Sequence, residues 1–501
     1  METKNMEAKH MIPAMPIRGK PYDHQQWAYI FACTLFGLAD GKLRSRGVAL
    51  LMEMGCGKCF VSVAITGALA MFGKIRRVLV VAPLSILGVW EEEFARFADY
   101  PYSLVILKGS GAKKREQLSQ LRPTSKCLAS ESPVPRSQAS DIQIVVVNYE
   151  SAWRLEDALK AYDADLIIAD EGHKLKEGRT AQSRAMHHLG DRARYKLLLT
   201  GTVITNKEMD VFSQYRYLNK SIFGTSFYVF RNAYFDMTGY GGYLPVFKES
   251  MREDFLRRLH SVAYRVTKAE CLDLPEITEE VRRVTLEPKA AKLYKKLEKE
   301  SYAQLADSEV SAVNVLTRLL RLSQLTGGFL TDDDGKAHAV SKAKLEALSD
   351  VIDSAMEENR KLVIMARFVA EMDAIQELLT KRHIGYATVR GGIKDRAEEI
   401  RRFQEDGDCH VFVGQIAAAG LGITLTSAST MVFFSLDYSM SNFEQAKARI
   451  HRVSQKETCH YIYLVAEDTV DLKVLKALRD KADLARLLVD DYRKGLNPFE
   501  N

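Results

Sequence analysis

The sequence predicts an α/β protein built from two parallel-sheet lobes, with helical protrusions between them and a C-terminal helix. Short apolar runs read as buried strands, each followed by a helix-like stretch: VALLMEM (48–54), RVLVVAP (77–83), IQIVVVNY (142–149), ADLIIADE (164–171) and KLLLTGT (196–202). Strands alternating with helices imply a parallel sheet covered on both faces. The same grammar returns with KLVIMARF (361–368), GYATVRG (385–391), CHVFVGQ (409–415), STMVFFSL (429–436) and CHYIYLVA (459–466), which implies a second lobe. A length of 501 residues suits two or three domains.

Between the two sets, Asn206 to about Thr326 has helical periodicity, and Leu-Asp-Leu-Pro at 272–275 marks a hinge. We therefore divide the chain at 1–270 and 271–501, each part with a helical protrusion. The second half of residues 111–141 mixes Ser, Pro and bases and reads as an exposed loop. The tail from Asp468 has apolar residues at helical spacing and should pack back on the body as an amphipathic helix.

Composition narrows the function class. A 47% hydrophobic and 27% charged chain folds as a globule rather than staying disordered. A net charge of +6 permits a polyanionic partner without demanding one. No run reaches the length of a membrane helix and the N-terminus lacks a signal-peptide core, so an intracellular, membrane-free protein is expected. Seven cysteines without regular spacing fit a reducing compartment. Cys56 and Cys59 form a C-x-x-C pair with no second metal-ligand pair nearby, so neither metal nor redox use is expected of it.

The chemistry concentrates in a few stretches. MEMGCGKC (52–59) follows a strand and precedes a helical run, the context in which a glycine turn offers backbone N–H groups to phosphates. Gly55 and Gly57 permit the turn and Lys58 reaches the β- and γ-phosphates. Taken alone, G-x-G-K is also a common turn before a helix. ADLIIADE ends in Asp170-Glu171 where α/β sheets bind ligands, placing Asp170 to hold Mg²⁺ and Glu171 to deprotonate a water. Acidic pairs there also serve as helix N-caps. Arg449 and Arg452 stand three apart on an expected helix and share a face suited to a transferring phosphoryl group, although an isolated R-x-x-R is usually solvated surface.

Set in order, PYDHQ, MEMGCGKC, VVAPLSILGVWEEEF, VNYE, DEGHKLK, LTGTVITN, AAAGLGITLTSAS and QAKARIHRVSQ resemble the serial motifs of superfamily 2 motors, and more narrowly those of Swi/Snf-type double-stranded-DNA translocases. The resemblance covers roughly residues 20–475. It implies two RecA-like lobes, an ATP and Mg²⁺ requirement, double-stranded DNA as partner and a monomeric motor that tracks an intact duplex. By position, Gln25 reads adenine; Gly55, Cys56, Gly57, Lys58 and Cys59 hold phosphates; Gly422 and Gln445 complete the nucleotide site with Arg449 and Arg452. Asn148, Tyr149, Thr200, Thr202 and Gly420 couple it to DNA, and Mg²⁺ falls to Asp170 and Cys59. Little sequence lies outside the motor, so a minimal form of the kind found in phages and bacteria is expected. It would work in the cytoplasm of a prokaryotic or phage-infected cell, or in the nucleus of a eukaryote.

The chain departs from the family pattern at Cys59, where Thr or Ser is usual. A hydroxyl is a hard ligand for Mg²⁺ and a thiol is not, so slowed rather than absent hydrolysis is expected. Val203, Ser454, Tyr438-Ser439 and Lys447 also depart, without removing a catalytic group. Two alternatives stay open: a strand-separating helicase, and a hydrolysis-impaired scaffold that binds nucleotide and DNA.

Overall fold

A computed structural model of the chain describes residues 12–121, 142–201, 203–204, 207–242, 244–307, 312–332, 334–392, 395–419 and 423–489. Two compact units divide the chain, the second running Asp273–Asp483 and the first comprising Met1–Leu272 with the residues from Leu484 onward.

In the first unit the strands are β1 (Gly47–Met52), β2 (Arg77–Ala82), β3 (Tyr102–Ile106), β4 (Ile142–Asn148), β5 (Leu166–Asp170), β6 (Tyr195–Leu199), β7 (Phe235–Thr238), β8 (Leu244–Phe247) and β9 (Ala263–Val266). Seven of them make one sheet, ordered β3-β4-β2-β5-β6-β1-β9, with every neighbouring pair parallel. Both faces are covered, which is why these strands are nearly continuous runs of Val, Ile and Leu rather than alternating ones. Val78, Val80 and Ala82 join one core with Ile65, Trp90 and Phe94. Leu79 and Val81 point the other way, into a core with Tyr149, Met186 and Tyr215.

Register positions the chemistry. Leu50 of β1 and Asp170 of β5 both pair with Leu199 of β6. Leu50 and Asp170 are therefore level, with one strand between them, about 10 Å across the sheet, and β1 runs two residues further to Met52 before the glycine turn.

The second unit has β10 (Ile277–Val284), β11 (Phe329–Thr331), β12 (Ala337–Ala339), β13 (Leu362–Ala366), β14 (Gly385–Val389), β15 (Cys409–Gln415), β16 (Thr430–Phe433) and β17 (Cys459–Ala466). Six form a parallel sheet ordered β10-β17-β16-β13-β15-β14. Val363 and Met365 face a core with Phe403 and Ile450, whereas Leu362 and Ile364 face Leu348, Met372 and Ile375. The C-terminal helix, Val470–Val489, packs through Val470, Val474, Leu475 and Leu478. Among the described residues no helix is long and apolar enough to cross a membrane.

The stretch from Asn206 to Thr326 is less uniformly helical than its periodicity suggests. It carries the antiparallel hairpin β7–β8, and it supplies β9 and β10 to the edges of the two large sheets. The segment after Ile106 begins with a helix, Gly111–Ser119, capped by Ser110; the expected loop that follows lies outside the described residues.

One buried ion pair ties the second unit together. Lys344 Nζ lies 2.6 Å from Asp471 Oδ2, with side chains 2% and 10% exposed. The ammonium also donates to the carbonyl of Phe434 (3.1 Å), and Asp471 accepts from Thr326 Oγ1 (2.8 Å) and Ala466 N (3.1 Å). Removing one partner strands a buried charge, which costs about 3–5 kcal/mol. Lys344→Met is expected to lower the unfolding midpoint of the second unit accordingly, and adding Asp471→Asn should recover more than half of the loss in urea unfolding.

Candidate functional site

β1 ends at Met52 and the chain turns through Glu53–Gly57 into the helix Lys58–Met71. Gly57 is the N-cap with φ +86°, and a Cβ there would collide with Nε2 of Gln25. A side chain at this position would thus be strained and obstructed, so the turn needs glycine. Gln25 donates to the carbonyl of Cys56 (3.3 Å) and His24 Nε2 donates to the same oxygen (2.9 Å). Lys58 is buried, and its ammonium donates to the carbonyls of Met52 (2.8 Å) and Glu53 (3.4 Å). The loop is thereby closed over its own lysine.

Asp170 ends β5 and is 3% exposed. Its Oδ2 accepts from Trp90 Nε1 (3.0 Å) and its Oδ1 from the backbone N–H of Glu171 (2.9 Å). Burial, and then the charge of Glu171, push its carboxyl up from 3.8 to about 7, against the opposing pull of Lys58 and Trp90. Glu171 sits at φ +50°, a left-handed conformation that an L side chain adopts at a cost. Its Oε2 lies 3.3 Å from His173 Nδ1. Cys59 occupies the first turn of the helix after the loop. Burial, then the carboxylates of Asp170 and Glu93, hold its thiol neutral, well above its ordinary range.

Three of the residues assigned to DNA coupling are buried and make internal hydrogen bonds here. Tyr149 is 1% exposed and its hydroxyl donates to the Asp170 carbonyl (2.8 Å), so its ring props the end of β5 and offers no surface to a backbone phosphate. Asn148 is buried and donates to Glu150 (2.6 Å), beside Lys114, which donates to Ser151 Oγ (2.6 Å). Thr200 is wholly buried, with its N–H on the carbonyl of Leu50 (3.2 Å). Thr202 lies outside the described residues, as do Gly420 and Gly422.

Arg265 organises the same edge. From β9 its guanidinium donates to the carbonyls of Leu51 (3.2 Å) and Gly201 (2.9 Å) and pairs with Glu53 (3.1 Å). The other oxygen of Glu53 accepts from the N–H of Lys268 (3.0 Å). The glycine loop, the turn after β6 and the end of β9 are thus joined by one side chain. Neither Arg265 nor His24 is legible as a site residue in sequence; a base inside the short apolar run AYRV is the only trace.

In the second unit, the helix Met440–Lys447 ends before either arginine, which corrects the expectation that both share a helical face. Tyr461 OH donates to the last carbonyl of that helix (2.7 Å), and the chain turns at Ala448. Arg449 is wholly buried and donates to the carbonyl of Ile423 (3.3 Å); Arg452 donates to Thr424 Oγ1 (2.8 Å). The two converge on adjacent residues from successive turns, and burial lowers the pKa of Arg452. Gln445 donates to Ser441 Oγ (3.3 Å).

An acid with a pKa raised by folding binds its proton more tightly in the folded state, so its contribution to stability falls as pH rises from about 4 to about 7 and is level above. Asp170→Asn removes that slope. Its Tm relative to wild type is expected to shift in the variant's favour by roughly 5 °C between those limits, measured by thermal unfolding without divalent cations.

Comparison with known proteins places this site in a family. The SNF2-related domain matches residues 22–327, more than half of the chain, and the helicase conserved C-terminal domain matches residues 343–454. A DNA repair and recombination protein RAD54-like of Drosophila pseudoobscura pseudoobscura is 23% identical over 96% of this chain and 65% of its own length. The ISWI chromatin-remodeling complex ATPase ISW1 of Saccharomyces cerevisiae is 25% identical over 90% of this chain and 39% of its own. The chain thus spans 65% or less of the length of these two relatives. Among solved structures, the Sulfolobus solfataricus SWI2/SNF2 ATPase core in complex with dsDNA aligns over 97% of both chains with 22% identity and a TM-score of 0.45. With a glycine loop and an acidic strand end at the same edge of one sheet, and with the family's domain matched over both, the chain belongs to the SNF2-related family.

Proposed function

We propose that the chain is a DNA-stimulated ATPase that moves along double-stranded DNA without separating the strands. The observation that carries the reading is the juxtaposition at one sheet edge: the strand that leads into the glycine loop is separated from β5 by one strand, and the charge of Lys58 reaches Asp170. The residues fit a Mg²⁺–nucleotide substrate. Gly57 caps the N-terminus of a 14-residue helix, whose first backbone N–H groups suit phosphate oxygens. Asp170, buried and raised above its ordinary range by that burial and by the neighbouring charge of Glu171, suits a divalent cation. Mg²⁺ takes only one or two protein carboxylates and completes its shell with phosphates and water. Asp170 would hold it; the neutral Cys59 thiol would not.

When bound, the cation offsets charge on the phosphates. The chain's own residues do the rest. Lys58 and the backbone N–H groups after Gly57 bind phosphate oxygens, Glu171 accepts the proton of the attacking water, and Trp90 and Tyr149 keep the end of β5 aimed. In this reading Arg449 and Arg452 supply positive charge to the transferring phosphoryl group. Movement on DNA, the monomeric state and the placement of Gln25 on adenine belong to the same proposal.

The neutral thiol at position 59 favours one other reading, a scaffold that binds nucleotide and DNA with little turnover. Steady-state ATP hydrolysis separates the two. Duplex DNA is expected to stimulate wild type, and Glu171→Gln to lower kcat by about 10²–10⁴-fold while nucleotide binding persists; wild type no faster than that variant would make the chain a scaffold. Cys59→Thr is expected to lower the Mg²⁺ concentration at half-maximal rate several-fold and to raise kcat. An unchanged Mg²⁺ titration would place the cation wholly on Asp170.

A further inference from the structure

Cys56 meets a second cysteine that comes from the far end of the first unit. Cys271 closes the short helix Lys268–Cys271, and its Sγ lies 3.5 Å from Sγ of Cys56, across 215 residues of sequence. The contact is held from both sides. Glu53, three residues before Cys56, grips the start of the Cys271 helix through the Lys268 N–H and is itself gripped by Arg265. On the other side, His24 and Gln25 fix the Cys56 carbonyl. The sulfurs must close from 3.5 Å to a bond of about 2.05 Å to form a disulfide.

Two further features suit the pair to oxidation. The Cys271 thiol donates to Cys56 and, with the charges of Lys58 and Lys268, pulls the Cys56 thiol below its ordinary range, against burial. Cys56 is wholly buried, while Cys271 is partly exposed and gives a small oxidant a way in.

We propose that Cys56 and Cys271 form a reversible disulfide under a hydroperoxide oxidant, and that the bond weakens nucleotide binding at the glycine loop. The second half rests on the nucleotide reading above. In the first step the Cys56 sulfur attacks one peroxide oxygen, the O–O bond breaks, and Cys56 sulfenic acid and hydroxide form. In the second the Cys271 sulfur attacks that sulfenic sulfur, the S–O bond breaks, and its oxygen leaves as water with the thiol proton. Two thiols lose two electrons, and one peroxide becomes two waters once the hydroxide is protonated. A dithiol reverses the bond by exchange. The closure draws the turn that binds phosphate toward the Cys271 helix, and away from the geometry in which Gln25 and His24 hold it.

The test treats the full chain with hydrogen peroxide, maps disulfides in non-reduced peptides, and measures the ATP Kd before oxidation, after it, and after dithiothreitol. Cys271→Ser runs alongside. The expected result is a Cys56–Cys271 peptide, ATP binding weaker by about tenfold or more, recovery with dithiothreitol, and a Cys271→Ser variant that binds ATP like reduced wild type and does not respond to peroxide. Absence of that peptide, or a Cys56–Cys59 bond in its place, overturns the proposed pair. A Cys56–Cys271 bond with unchanged Kd overturns its control of the loop. Reduced protein that binds no ATP overturns the nucleotide reading instead, and the peptide map still decides the pair.

Discussion

The first unit's chemistry depends on the register of β6. This strand lies between β1 and β5 and pairs its last residue, Leu199, with Leu50 on one side and Asp170 on the other. A lysine-bearing turn and an acid pair more than 100 residues apart in sequence are thereby delivered to the same edge, the turn starting two residues beyond the level of Asp170. Parallel pairing makes this possible, because every strand delivers its C-terminus to the same edge. A slip of one residue in either ladder would move Asp170 or the glycine turn by about 3.3 Å and reverse the face of each side chain along the strand.

That edge is costly to maintain. Asp170 is buried beside a second carboxylate, and Glu171 is held in a left-handed conformation. Neighbours chosen for the purpose offset the cost. Trp90 and the Glu171 N–H satisfy the Asp170 carboxylate, Tyr149 satisfies its carbonyl, and Arg265 spans three separate turns. Such strain persists where surrounding structure over-determines it. In the second unit, Arg449 and Arg452 are likewise seated by short polar contacts, on Ile423 and Thr424.

The buried strands were legible in sequence because strands covered on both faces are unbroken apolar runs; β1, β2, β4, β5 and β6 all announce themselves this way. Edge strands were not. β10 reads ITEEVRRV and β9 reads AYRV, so charge hides the strand that pairing reveals. The hairpin β7–β8 was masked by aromatic residues that also fit a helical pattern. Lys58, Asp170 and Glu171 could be read because each sits at a strand end with local punctuation. His24, Arg265 and Cys271 could not, since what matters in them is a neighbour far away in the chain. The helix assumed for Arg449 and Arg452 failed for a similar reason: no glycine or proline marks its end after Lys447, where Tyr461 takes the last helical carbonyl.

The backbone of Glu171 carries an implication for how this chain can change. Its φ of +50° is one that glycine adopts freely, so Glu171→Gly would release strain of the order of 1 kcal/mol while deleting the carboxylate. Selection for thermal resilience and selection for keeping this carboxylate therefore pull in opposite directions at this single codon. A library sorted only for folded, soluble protein would drift toward losing the carboxylate, and the drift would be invisible to any assay of folding alone.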